Sequence, residues 1–371
     1  MKVIYDLVFF AKEQFGGISR CWMELFKCIP GTPIDPVFLV GPADNLTQNF
    51  LAANGWFDGE QVAEAPRGVL RKLRLLGFWR TFQLLDVGRH RGEAIFHSTD
   101  YINPLIRPPG LKIVTTIHDM VFWDQADRFD KNIWYWDKRC MTWHALRISD
   151  AIVTVSEASR RAILDRFPWA EEKIVVIRHG LSDTLRSIAF QPEKKKRFLF
   201  IGGRNAYKNF DLLLDAFALF APDYPDWDLH VVGENTYTAA AERRRYEALG
   251  IAQRVIDHGL VPQEALNRLL AESAAVVIPS LNEGFNFPLL EGMAAGVPVL
   301  SSDIPVSLEL GQNHVRYFSP LSTESLTGAM RALADSPPDT AQLLAAQAYA
   351  RSFDWRTSMS RLVDVYQGCL S

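Results

Sequence analysis

Short apolar runs alternate along the chain with stretches whose apolar residues recur at three and four positions. The runs fall at residues 3–6, 37–40, 93–97, 113–117, 151–155 and 173–177, then at 197–201, 229–233, 255–257, 274–279 and 297–301. Runs rich in Val, Ile and Leu, with little polar alternation, predict strands buried on both faces of a parallel sheet. The stretches between them predict helices. One helix gathers Ile18, Trp22, Leu25, Phe26 and Ile29 on a face, and another, with Asn209 placed to cap it, gathers Phe210, Leu213, Leu214 and Phe217. Helices are also expected after Ser156, at 239–249, at 263–272 and from 323 onward, the last at 355–370. Strand and helix in alternation define an α/β fold.

The runs form two blocks, so the chain is expected to divide into a domain at 1–180, a linker at 181–196 and a domain at 197–354, with a final helix at 355–371. The linker holds a charged run, Glu193, Lys194, Lys195 and Lys196, expected to be solvated.

The most informative stretch is 274–300. After its first strand comes a loop in which Gly284 and Asn286 can take positive φ. Pro288 then stands where a helix begins, Gly296 where it ends, and Pro298 bars continuation. This places Glu283 on a loop at a strand's carboxyl end and Glu291 in about the first turn of the next helix. In an open α/β sheet that edge binds ligands. The helix start offers the N–H groups of Phe285, Asn286 and Phe287 to hydroxyls or phosphate, and an ionised carboxylate accepts from both hydroxyls of a ribose. Spacing alone supports equally a Glu291 that complements the helix dipole and a Glu283 that is a solvated loop charge.

Other strand ends carry chemistry of the same ambiguous kind. Gly203, Arg204 and Lys208 follow the strand at 197–201, where the two cations could be surface charges. Gly16 and Gly17 sit at a strand-to-helix turn, which suits either a tight bend or close approach to a phosphate. The dinucleotide fingerprint G-x-G-x-x-G is absent there, which weighs against a dehydrogenase. His97 and His118 each end a strand, where a structural histidine is the commoner case.

Composition narrows the class. With 371 residues, 48% hydrophobic, and a net charge of −3, the chain suits a globular protein of two domains and not a nucleic-acid binder. No leader pattern opens it, and no apolar run approaches the roughly twenty residues of a membrane span. Cys21, Cys28, Cys140 and Cys369 lack C-x-x-C or zinc spacing and are expected as free thiols in a reducing cytoplasm. No D-x-D pair asks for a metal, and no cofactor is expected. Residues 67–91 carry seven Arg or Lys against Asp86, interleaved with bulky apolar residues. That suits either a helix on an anionic membrane surface or an ordinary helix with solvated arginines. The aromatic stretch 122–143 is expected mainly as core, with sugar stacking as the alternative.

Glu283 and Glu291, in EGFNFPLLEGMAAGVPV, resemble the E-x7-E signature of retaining GT-B glycosyltransferases of family 4, followed by that family's A-x-G-x-P-V segment. Other segments up to about Phe318 agree. The chain is most similar to the bacterial mannosyl- and rhamnosyltransferases of O-antigen and exopolysaccharide assembly. It departs from the pattern with Asn286 in place of Gly and Gly292 in place of Ala.

The resemblance implies a GT-B fold, two Rossmann-like domains with parallel sheets facing a central cleft, the first binding the acceptor and the second the nucleotide sugar. It implies that Glu291 holds the ribose, that Glu283 and the backbone of Phe285, Asn286 and Phe287 bind the donor sugar, and that Arg204 and Lys208, beside Gly203, hold the diphosphate. It places backbone near Val261 against the base, His118 beside the donor sugar, with His97 a weaker candidate, and Gly16, Gly17 and Arg20 as the GG-x-x-R loop. It implies a last helix returning to the first domain, with Trp355 as its anchor. The implied reaction moves a hexosyl unit, mannose or a deoxy relative from a GDP-sugar, with retention and without metal. The implied acceptor is a glycan, polyprenyl-diphosphate-linked, at the inner face of the cell membrane. A nucleotide-sugar epimerase of the same architecture and a non-catalytic nucleotide-sugar-binding protein stay open, although Arg204, Lys208, Glu283 and Glu291 together weigh against the latter.

Overall fold

The computed structural model describes residues 1–7, 17–39, 94–101, 103–104, 107–128, 131, 133–204, 206–234 and 239–371; Gly16 and the basic stretch 67–91 lie outside the described residues. Contacts divide the chain into one unit of residues 1–180 with 355–371 and a second of residues 181–354.

In the first unit, the strands are β1 (Lys2–Asp6), β2 (Asp35–Leu39), β3 (Ala94–Ser98), β4 (Leu111–Ile117), β5 (Ala151–Thr154) and β6 (Ile174–Val176). They lie side by side in the order β2-β1-β3-β4-β5-β6, and each pairing is parallel. Apolar runs produce this sheet because helices cover its faces: Val3, Ile4, Ile95, Phe96, Ile113 and Val114 are all fully buried. The helices include α1 (Gly17–Lys27), α2 (Ile133–Ile148) and α3 (Glu157–Leu164). Trp22, Leu25 and Phe26 form the buried face of α1, as their spacing predicts. Ser156 caps α3 by accepting from the Ser159 N–H at 3.0 Å.

The second unit repeats the plan with β7 (Lys195–Ile201), β8 (Asp228–Val232), β9 (Val255–Asp257), β10 (Ser273–Ile278), β11 (Val299–Ser302) and β12 (Arg316–Phe318). Their order is β12-β11-β10-β7-β8-β9, again parallel. Its helices include α4 (Phe210–Phe220), α5 (Ala239–Ala248), α6 (Gln263–Glu272), α7 (Phe287–Ala294), α8 (Pro305–Gly311), α9 (Thr323–Asp335) and α10 (Thr340–Arg351). Phe198, Phe217, Phe220 and Trp227 centre the core on one side of the sheet. Lys195 and Lys196 begin β7, ahead of the expected start at Arg197, and are solvated as expected, at 65% and 60% exposure, while pairing with Glu272 at 2.7 Å and Asp226 at 2.5 Å. The last helix, α11 (Trp355–Leu370), belongs to the first unit, where Trp355 is buried against the His179 ring at 5.2 Å.

Two local features fix α7. Gly296 (φ +65) closes the helix as a Schellman motif, with N–H groups of Val297 and Gly296 donating to Gly292 and Met293 carbonyls at 3.0 and 2.9 Å. Gly292 is small for a packing reason, since a Cβ there would sit 2.8 Å from Val299 Cγ2 and 3.1 Å from Val276 Cγ2. Among the described residues, no helix is long and apolar enough to cross a membrane.

Candidate active site

In the second unit, the chain winds outward from β7 through β8 to β9 and in the other direction from β10 through β11 to β12. The crossing loops therefore diverge between β7 and β10, and the crevice at the carboxyl ends of those strands is where such a sheet binds ligands. The loops that follow β7 and β10 are bound to each other. The Leu281 N–H donates to the Tyr207 carbonyl at 2.7 Å. Lys208 Nζ lies 2.6 Å from Glu283 Oε1, and Ser280 Oγ donates to that same oxygen at 2.7 Å. Both charged side chains are largely withdrawn from water, at 16% and 11% exposure.

Asn209 stands at the N-cap position of α4 but does not cap it. Its backbone is left-handed (φ 56), and Nδ2 donates instead to the carbonyls of Pro279 and Pro320 at 3.1 and 2.8 Å. The amide thus ties the β7 loop to two neighbouring loops.

Asn286 precedes α7 with φ 59, the left-handed conformation the loop needs. Its Nδ2 donates to Ser307 Oγ at 3.0 Å, which also accepts from Ser301 at 3.0 Å. Its buried Oδ1 has no hydrogen-bond partner among the described residues. Phe285 is buried with its ring edge-on to Phe287 at 5.2 Å, and Phe287, one residue before Pro288, starts the helix. Glu291 is the fifth residue of α7 and only 1% exposed. A helix-terminus effect fades within one turn, so dipole complementation does not account for a carboxylate held so deep.

Arg204, expected at the diphosphate, is already paired with two carboxylates. Its side chain is fully buried and turned into the unit, with Nε on Glu242 at 3.0 Å and Nη2 on Asp257 at 2.6 Å. Nη1 donates to the Gly233 carbonyl at 3.0 Å. A buried guanidinium needs such partners to offset its lost hydration, and these join the carboxyl ends of β8 and β9 to α5. Glu242 and Asp257 were not anticipated: they lie 38 and 53 positions from Arg204, and neither carries a spacing signal. The backbone here is also tight, because a Cβ on Gly233 (φ +138) would fall 2.2 Å from the Gly202 carbonyl oxygen. Gly203 follows on the same loop, half-buried. Val261, also half-buried, lies just beyond β9, after Gly259 whose carbonyl accepts from the Gly233 N–H at 2.9 Å.

The first unit holds the remaining candidates. Gly17 opens α1 and Arg20 lies half-buried in its first turn. His118 follows β4 and donates through Nε2 to the Thr99 carbonyl at 3.1 Å. Burial lowers its pKa, against the opposing pull of Asp100. Its ring lines a cavity with Cys21 and His179, which meet at 3.1 Å. Burial pushes that thiol up and that imidazole down, so the pair is neutral. His97 is a structural residue: Nδ1 meets Tyr366 Oη at 2.5 Å, Nε2 meets Thr116 Oγ1 at 2.8 Å, and burial depresses its pKa to about 3.

Two open parallel six-stranded sheets with a ligand crevice at a switch point define the GT-B class of glycosyltransferases. The Anabaena protein Alr3699/HepE, solved with UDP, shares this fold at a TM-score of 0.73 and 18% identity over 99% of each chain. Residues 15–184 match the family model described as Glycosyltransferase Family 4, and residues 182–351 match the one described as Glycosyl transferases group 1. The chain belongs to this glycosyltransferase family. Among its relatives, the O-antigen chain mannosyltransferase RfbU of Salmonella typhimurium is 25% identical over 260 residues, 70% of each chain. The O-antigen chain mannosyltransferase B of Escherichia coli is 26% identical over 328 residues, 79% of this chain and 83% of that one.

Proposed function

We propose that this glycosyltransferase moves a mannosyl unit, or a deoxy relative, from a GDP-sugar to a glycan acceptor carried on a polyprenyl diphosphate. The observation that carries the reading is the Lys208–Glu283 pair at the switch point of the second unit, with Glu291 buried in the helix that follows. The donor preference is supported by the two O-antigen mannosyltransferase relatives.

On this reading, Glu291 holds the ribose and Glu283 the hydroxyls of the donor sugar, beside Phe285, Asn286 and Phe287. Backbone near Val261 faces the base, and the loop at Gly203 faces the diphosphate. The bond from the sugar's anomeric carbon to the diphosphate breaks with its electron pair passing to phosphate oxygen. Lys208 stabilises that growing charge, a role that needs a cation fixed before the reaction begins. The acceptor hydroxyl attacks the same face of the sugar, and its proton passes to the departing diphosphate, so configuration is retained without a covalent intermediate. Arg204 serves this site by position, fixing the loop ends behind Lys208. In the first unit, Gly16, Gly17, Arg20 and His118 are the residues assigned to substrate binding.

The test is calorimetric titration with GDP, UDP and dTDP in chelator, for the parent and for Glu291→Ala. The expected result is binding of GDP in preference to the others, weakened about 100-fold in the variant, as when a charged hydrogen-bonding group is lost. Equal binding by Glu291→Ala, or a sugar adduct trapped on Glu283, overturns the assignment of these residues.

A further inference from the structure

Three tryptophans project from the first unit into solvent: Trp136 is 53% exposed, Trp143 46% and Trp169 47%. Trp136 and Trp143 stand seven residues apart on α2, close to two full turns, so they share a stripe with exposed Cys140 and Arg147. The Arg147 guanidinium lies 5.2 Å from the Trp143 ring and 5.8 Å from that of Trp169, which brings the third tryptophan to the same face. Arg139 lies 5.6 Å from the Trp136 ring. Three other arginines of this unit are paired with carboxylates: Arg107 with Asp150, Arg160 with Glu171 and Arg166 with Asp124. Neither Arg139 nor Arg147 has a carboxylate partner among the described residues.

We infer that this face docks the protein on an anionic lipid surface. Indole rings, apolar with one polar edge, settle at the level of lipid headgroups. Arginines set between them meet lipid phosphates, and the absence of paired carboxylates leaves that charge complementarity intact. A glycan is the poorer occupant. Sugar hydroxyls require converging donors and acceptors around an aromatic platform, whereas the other side chain on this stripe is Cys140, and the side of a helix is convex and suits a plane. The residues that form this surface do not include 67–91, and its role does not depend on the donor or the sugar transferred.

The experiment is sedimentation of the full chain with phosphatidylcholine vesicles, with and without phosphatidylglycerol, in the absence of donor and acceptor. The expected result is binding to the phosphatidylglycerol vesicles alone, reduced at least about tenfold by combining Trp136→Ala, Trp143→Ala and Trp169→Ala, with GDP affinity and thermal midpoint unchanged. Arg147→Gln should lessen the salt dependence of binding. An environment-sensitive dye on Cys140, in a Cys28→Ser background because Cys21 and Cys369 are buried, should shift to the blue on those vesicles. This second readout stands if the triple variant folds poorly. Absence of vesicle binding, an unaltered partition by a folded triple variant, or capture by a neutral glycan in place of lipid overturns the inference.

Discussion

On the proposed reading, an incoming diphosphate meets a Lys208 already paired with Glu283 at 2.6 Å, in a place largely withdrawn from water. It competes with Glu283 for Lys208, and a carboxylate displaced in that exchange becomes available to sugar hydroxyls. The exchange leaves neither charge buried and unpaired, a state that costs about 3–5 kcal/mol. It also predicts opposite signs for one substitution. Glu283→Gln should bind GDP about tenfold more tightly, because Lys208 is unmasked, while sugar transfer falls at least about 100-fold. Calorimetry beside an initial-rate assay decides it; weaker GDP binding by the variant sinks the exchange. The placing of Lys208 and Glu283 on loops at strand carboxyl ends was legible in the sequence, though the ion pair between them carries no spacing signal. The seclusion of Arg204 was not, since the same position in the pattern reads identically whether the guanidinium turns outward or toward carboxylates brought there by β9 and α5.

Elements were easier to foresee than their closures. The apolar runs located the first eleven strands within a few residues, because a strand covered on both faces must be apolar throughout. They missed β12, where Arg316, Tyr317 and Phe318 form an edge strand with one exposed residue and no run to notice. Helix α7 shows how a residue that lowers helix propensity can still be required. Gly292→Ala gains about 1 kcal/mol in helix propensity but forces a methyl between Val276 and Val299, a strain of about 1–3 kcal/mol in a packed core. The net effect expected in urea denaturation is a loss of about 1 kcal/mol, relieved when Val299→Ala is combined with it. A stabilised single variant would show that the valines yield freely.

For the molecule as a whole, acid sensitivity follows from how the first unit is assembled. His97 joins β3 to Tyr366 of α11 and to Thr116 of β4, and Tyr366 continues to Tyr5 of β1 at 3.2 Å. In the unfolded chain this imidazole titrates near 6.5, but burial holds it down to about 3 in the fold. Between those values the unfolded chain takes up a proton that the folded chain refuses. Stability is therefore full above pH 6.5 and is lost as the pH falls toward 3, by up to about 1.4 kcal/mol per pH unit for this histidine. His118 and His179, lowered in the same direction, add to the slope. Urea denaturation at pH 7 and pH 5 should show that His97→Gln, which cannot protonate, loses about 2 kcal/mol less than the parent across that interval. Equal losses would place the acid sensitivity elsewhere.

The single hydrogen bond from Leu281 to Tyr207 has a consequence for descent as well as for chemistry. It makes two segments far apart in the chain one piece of backbone, with Lys208 on one and Glu283 on the other. Recombination that imported either segment alone would bring a lysine without its glutamate, or the reverse, into a space shaped for both. The two loops would then have to be inherited together, whatever side chains change around them.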